Sequence, residues 1–393
     1  MSVAKFPRHY GMDWLRIGAF ALLILYHIAM VFADWNYHVK SAHAEGWIAV
    51  PMLLVNAWRL SLLFVVSGYA SRALLARSRS PGDFAWGRSK RLALPLAFGI
   101  AVIVPPQPWA ELVSKAGYRA SYWTFWTRDY FRFSTIGGLD LPSWNHLWFI
   151  AYLWLYTLAL ALVMACLRRV RVPDRLQGWF DALFGRWLGG IGVLALPFAW
   201  YAFIHARWFA MAAETHALFG DGIAHISYLP AFLFGFALAG SPTAMAAIRR
   251  WWPLGAAMAL AGYGFVAGVE LRWIGPFGPS LYARYGIAHA AEQWGAIVAL
   301  IGLATRFLNR DHPIRATLTE AVFPFYLVHQ TIIVLVALWL MPAGLPFAAE
   351  FAILVAATVA GCAAFYYGGR RIRWLRPLIG LRLHPRPVRP ALL

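Results

Sequence analysis

The chain has 393 residues, of which 61% are hydrophobic and only 13% charged, and its formal net charge is +19. Soluble domains carry about 25% charged residues, so this composition excludes a soluble globular fold, a disordered chain, a coiled coil and a secreted disulfide scaffold. It describes an all-α polytopic membrane protein.

Ten apolar stretches have spanning length: 15–33, 48–71, 92–109, 145–167, 187–205, 223–240, 251–270, 285–305, 320–341 and 347–369. With the N-terminus inside, cytoplasmic segments hold 25 of the 35 Lys and Arg, the opposite side holds eight, and Arg16 and Arg59 fall inside spans. Cytoplasmic loops collect basic residues, so both termini are expected in the cytoplasm, with 370–393 as a basic tail. The positive charge is then a topology signal, and nucleic acid is not expected as a partner. The first span carries Arg16 and His27 with no small-x-small site after it, so it reads as a span and not as a cleavable signal. Without an internal repeat or low-complexity segment, residues 1–393 read as one integral-membrane domain.

Span one places Asp13, Arg16 and His27 on one helix face, because 11 residues at 100° bring Arg16 and His27 to within about 20° of each other. Their separation along the axis is roughly 16 Å. Ionisable residues at membrane depth are costly and point to function. The competing readings are a snorkelling arginine and a histidine bonded between helices. Asp13 is expected to pair with Arg16 or a neighbouring arginine. The first outer loop offers Trp35 and His38. In span two, Arg59 needs a partner or a wet cavity, and Ser67-Gly68 permits close helix approach. Arg88 and Arg91 open span three at i, i+3, so both guanidinium groups share a face as a phosphate clamp or as positive-inside charge. The outer loop 110–144 is aromatic, either an interfacial belt or a lid that stacks on sugar. His146 opens span four. In span nine, Tyr326 precedes His329, which is either a packing histidine or a lining group of the cavity that holds His27. Cys166 and Cys362 lie in apolar runs, and no metal site is expected. Phosphate-cradling, dinucleotide, zinc and nucleophile-elbow motifs are absent from the sequence, so a primary pump is excluded.

Arg16-x10-His27 resembles the arginine–histidine signature of the acyltransferase-3 family of integral membrane acyltransferases, and Arg88-x-x-Arg91 resembles that family's second motif. Ser67-Gly68-Tyr69, His146-Leu147-Trp148-Phe149 and Tyr326-Leu327-Val328-His329 fall in the family's order, and the likeness runs from about residue 10 to 370. His38-Val39-Lys40-Ser41-Ala42 and Arg59 are similar to the branch that succinylates osmoregulated periplasmic glucans. The resemblance implies an O-acyltransferase of the bacterial inner membrane, surrounded by lipid. It uses cytoplasmic acyl-CoA, succinyl-CoA in this branch, as donor substrate with no bound cofactor. Its acceptor is a periplasmic glucan or another polysaccharide. In that scheme His27 and Arg16 are catalytic and Arg88 and Arg91 bind the donor. Asp13, Arg59, Tyr326, His329, Trp35, His38 and His146 support the site or face the acceptor. The alternatives are O-acetylation of another surface polysaccharide and, in a different class, a lipid or sugar transporter.

Overall fold

The computed structural model describes residues 9–167, 172–208, 214–275 and 278–383. Lys5, Arg8, Arg168, Arg169, Arg171, Arg386 and Arg389 of the charge count, and the tail from 384 on, lie outside the described residues.

The helices are α1 (Tyr10–Ala29), α2 (Ala49–Asn56), α3 (Arg59–Ala76), α4 (Pro81–Phe98), α5 (Pro106–Lys115), α6 (Tyr122–Thr124), α7 (Trp148–Cys166) and α8 (Val172–Phe180). They continue as α9 (Gly192–Trp208), α10 (Gly222–Leu238), α11 (Pro242–Glu270), α12 (Pro279–Phe307), α13 (Pro313–Leu340), α14 (Phe347–Gly369) and α15 (Leu375–Leu378). A small hairpin, β1 (Ser134–Ile136) with β2 (Leu139–Leu141), is antiparallel with Thr135 opposite Asp140. Among the described residues, eight helical segments are long and apolar enough to cross a membrane. A ninth is bent by 106° between Asp174–Gly190 and Gly192–Trp208. The bend has a local cause: Leu188, Gly189 and Gly190 take left-handed φ of 45°, 69° and 83°. The expected fifth span at 187–205 therefore becomes a helix only at Gly192. The expected sixth span is α10, which is apolar but only 17 residues, about 26 Å of rise.

Contacts divide the chain into two compact units. The first comprises Met1–Trp35, Ala44–Trp86 and Tyr152–Thr319. Here α3 and α10 meet backbone to backbone: a Cβ on Gly68 would lie 1.9 Å from Phe232 O, and one on Gly235 would lie 1.9 Å from Val65 O. Lipid gives no hydrophobic drive between helices, so such close contact supplies the association through dispersion. Some buried polar side chains of this unit pair with each other, whereas neither carboxylate oxygen of buried Glu292 has a hydrogen-bond partner among the described residues. Gln293 donates to Ser61 Oγ at 2.7 Å and lies 2.7 Å from His205 Nε2. Tyr228 donates to both oxygens of Glu214.

The second unit comprises Asn36–His43, Gly87–Ala151 and Glu320–Leu393. Between α4 and α5 the chain makes a π turn, Gly99–Ile103, followed by Pro105, Pro106 and Pro108. Proline has no N–H, so carbonyls in this turn lose their helical donors. Side chains take their place. Tyr130 Oη donates to Ile100 O at 2.9 Å, Trp126 Nε1 to Ala101 O at 2.8 Å, and Thr331 Oγ1 to Ile103 O at 2.6 Å. The loop after α5 has its own core of Leu112, Phe125, Tyr130 and Leu141. Its aromatic residues therefore divide: Phe125 and Tyr130 are fully buried, while Trp123 and Phe133 are exposed. Tyr118 donates to Asp129 at 2.5 Å, and burial together with that carboxylate pushes its phenol up to about 12. The start of the basic tail is folded. Arg376 is buried, donates to Arg370 O and Arg382 O at 2.8 and 2.6 Å, and lies 3.6 Å from Glu320.

Gly68→Ala and Gly235→Ala are each expected to lower stability by about 1–3 kcal/mol through overpacking, read as a lower melting temperature in detergent. Gly18→Ala is the control, because a Cβ there meets nothing within 4 Å.

Candidate functional site

In the first unit, Asp13, Arg16 and His27 all lie on the single helix α1. Asp13 sits in its first turn, where a carboxylate complements the helix dipole. It accepts from Arg315 Nη1 at 2.8 Å and lies 3.9 Å from Arg16 Nη2. Arg315 is 5% exposed at its side chain and also bonds Asp311 at 2.7 Å. Arg16 is thus the outer member of a charged cluster whose buried cation is Arg315.

The helix ends earlier than the expected span. It stops at Ala29, so His27 occupies the last turn. Beside it stands Tyr26, whose ring centroid is 6.1 Å from the His27 ring and 6.1 Å from Trp35. Arg59 is buried and lies flat on Tyr26, its Cζ 3.6 Å from the ring centroid. It reaches this place because α2 and α3 are interrupted at Ala57 and Trp58. Arg59 Nη1 donates to Asn56 Oδ1 at 2.5 Å and to Asn56 O at 3.2 Å, and Tyr26 Oη donates to the same Oδ1 at 3.1 Å. The partner that Arg59 requires is therefore a tyrosine face and an asparagine, with no carboxylate in either bond. His27, Tyr26, Trp35 and Arg59 form one group.

The second unit holds the remaining expected residues. Arg88 and Arg91 lie one turn apart on α4, Arg88 partly buried and Arg91 exposed. His146 is buried just before α7 and shares Leu327 O at 3.2 Å through Nε2. Tyr326 donates its hydroxyl to His146 O. His329 is fully buried, donates from Nδ1 to Tyr326 O at 2.7 Å, and packs 5.0 Å from the His146 ring. Tyr326 and His329 are thus tied to backbone carbonyls of their own unit. His38 lies 2.6 Å from Glu111 Oε2 through Nδ1 and 2.9 Å from Gln330 Nε2 through Nε2.

Several polar residues here were not singled out from the sequence. Gln107 is fully buried and joins Asn145, Gln330 and Thr331 at 3.0, 3.2 and 2.8 Å. Glu111 joins His38 to Lys115, whose Nζ is 2.8 Å away. The readable signal was an amide in an apolar run, since buried polar groups need partners. Asn56 and Tyr26 carried a weaker signal, since neither bears charge.

The family model described as Acyltransferase domain matches residues 9–367. Proteins named Glucans biosynthesis protein C from Salmonella typhi and Salmonella typhimurium are 29% identical over 158 residues, covering 40% of this chain and 39% of theirs. The protein of that name from Salmonella paratyphi B matches to the same extent. The match thus spans about two fifths of the length of these relatives. No solved structure matches the chain significantly.

Arg59→Lys keeps the charge but loses the planar group that lies on Tyr26. It is expected to destabilise the protein by about 1–2 kcal/mol, and an unchanged unfolding midpoint in detergent would show that the stacking contributes nothing.

Proposed function

We propose that this chain, which belongs to the acyltransferase-3 family of integral membrane acyltransferases, moves a succinyl group from cytoplasmic succinyl-CoA to a hydroxyl of a periplasmic glucan. Its membrane is the bacterial inner membrane, with both termini in the cytoplasm. The acceptor follows the name of the relatives, the acyl group follows the similarity of short segments alone, and the enzyme class follows the family. The observation that carries the reading is the match over 9–367 together with the Arg16–His27 pair on one uninterrupted helix.

The chemistry is assigned as follows. Arg88 and Arg91 bind the donor's phosphates by charge-assisted hydrogen bonds. Arg16 stands at the entrance, and the pantetheine arm covers the roughly 16 Å of rise to His27. A neutral imidazole titrates near physiological pH and suits a general base. His27 takes the proton of the acceptor hydroxyl as its oxygen attacks the thioester carbonyl carbon. A C–O bond forms, the C–S bond breaks, and the leaving thiolate takes the proton back from the imidazolium. Tyr26 packs beside the histidine and against Trp35, and Arg59 holds the Tyr26 ring from its face.

His27→Ala is expected to abolish transfer of labelled succinyl from CoA to glucan while the purified protein keeps its melting temperature. Near-normal turnover would leave His27 a packing residue. Arg88→Ala and Arg91→Ala should raise the donor KM by roughly 10- to 100-fold, the loss of one charge-assisted bond, and leave the acceptor KM unchanged. An unaltered donor KM would make them topology determinants alone.

A further inference from the structure

The polar cluster of the second unit has a direction, and the direction starts at the backbone. Ile103 O has no helical donor: Gln107 N–H is used by Val104 O at 2.8 Å, and Pro108 has none to give. Thr331 therefore donates its only hydroxyl proton to Ile103 O at 2.6 Å. The Thr331 oxygen can then only accept, which fixes Gln107 with Nε2 toward it at 2.8 Å. Gln107 Oε1 must point the other way, and it accepts from Asn145 Nδ2 at 3.0 Å and Gln330 Nε2 at 3.2 Å. Gln330 has a second N–H, which reaches His38 Nε2 at 2.9 Å. An imidazole nitrogen that accepts there leaves its proton on Nδ1, and that N–H meets Glu111 Oε2 at 2.6 Å.

Two acceptors are left over by this polarity. Gln330 is 4% exposed, and its Oε1 has no hydrogen-bond partner among the described residues. His146 is 7% exposed; its Nε2 serves Leu327 O at 3.2 Å, and its Nδ1 has no partner among the described residues. Ser143 Oγ, two residues from Asn145, is likewise buried without a partner. A buried acceptor without a donor costs roughly 1–3 kcal/mol. The group that relieves it must donate hydrogen bonds, and a hydroxyl does so without adding charge to the neutral chain from Ile103 to Gln330.

We propose that this cluster is a binding subsite for hydroxyl groups of a carbohydrate acceptor, with Gln330 Oε1 and His146 Nδ1 accepting from them. His38 and Glu111 are positioning residues: Glu111 fixes the imidazole tautomer, and the imidazole fixes the Gln330 amide. The carbohydrate class rests on the proposed acyl transfer to a glucan. It also agrees with the outer-side location that the basic-residue bias assigns to residues 34–47 and 110–144.

The test uses the full-length protein in detergent with a purified glucan oligosaccharide as the probe. Its binding is measured directly, and acceptor and donor KM are measured alongside kcat. Gln330→Leu should weaken glucan binding and raise the acceptor KM by roughly 3- to 10-fold, as for one lost neutral hydrogen bond, with donor KM and kcat unchanged. Glu111→Ala should do the same, and Glu111→Gln should recover most of the effect because its amide oxygen still accepts the Nδ1 proton. Glu111 is at the partly exposed rim of the cluster, so this pair carries the test if Gln330→Leu does not fold. Wild-type glucan binding in Gln330→Leu, or in Glu111→Ala, overturns the subsite and leaves the cluster to water, while acyl transfer by the parent protein still stands. If the parent neither binds nor acylates the glucan, the subsite and the glucan reading fall together, and the family assignment is untouched.

Discussion

Three prolines set the second unit. A segment inside hydrocarbon must satisfy its backbone internally, and Pro105, Pro106 and Pro108 remove three of the donors that would do so. The π turn at Gly99–Ile103 adjoins them, and the carbonyls of Ile100, Ala101 and Ile103 each recruit a side chain from elsewhere in the unit. Tyr130 and Trp126 come from the loop after α5, which ties that loop to Ile100 and Ala101. Thr331 comes from α13 and ties it to Ile103. The folded state of the aromatic loop, the seating of α13 and the orientation of every amide from Gln107 to Gln330 thus descend from missing N–H groups. π turns recur at functional sites, and here the reason is visible: an open carbonyl is an acceptor that can orient a network.

The helices were legible because their signal is length and apolarity, which the bilayer enforces. Each of the ten expected stretches overlaps a helix, but among the described residues eight segments, or nine with the bent pair, are long and apolar enough to cross a membrane. The exceptions arise from backbone conformation. Leu188, Gly189 and Gly190 put the 106° bend where the apolar run gives no warning. α1 ends at Ala29 although the apolar residues continue, because Val31, Phe32 and Ala33 are buried in turns. Arg16, His27 and Arg59 were legible because charge at membrane depth is rare. Their partners were not. Tyr26 and Asn56 hold Arg59 through a ring face and an amide, and neither residue stands out in an aromatic-rich chain. Glu111 lay near a span end, where a carboxylate is unremarkable, and its bond to His38 joins positions 73 residues apart. The aromatic loop had two readings from sequence, and burial of Phe125 and Tyr130 in its own core adds a structural role that composition cannot separate from either.

Two buried polar groups, the arginines Arg59 and Arg315 of the first unit and the chain from Ile103 to Gln330 of the second, differ in chemistry, and the difference bears on what each can recognise. In the first, Arg59 and Arg315 are buried cations that cannot be neutralised: an arginine keeps its proton under all ordinary conditions. Arg315 is met by Asp13 and Asp311, whereas among the described residues Arg59 bonds and stacks on neutral groups, Tyr26 and Asn56. A cation held by neutral partners keeps its field, and a field in a low-dielectric surrounding favours developing negative charge nearby. Tyr26 touches both that cation and the His27 ring, so the field acts beside the histidine that the proposed mechanism uses as a base. In the second unit the buried chain from Ile103 to Gln330 carries no charge at all, and Glu111 with Lys115 stands only at its rim. Neutral, oriented amides hold their geometry at low desolvation cost and discriminate by direction, not by field. A tetrahedral intermediate at a thioester carbon carries an anionic oxygen, and a polyhydroxyl acceptor carries no charge. The Arg59 group has the chemistry for the first of these, and the amide chain from Gln107 to Gln330 has the chemistry for the second.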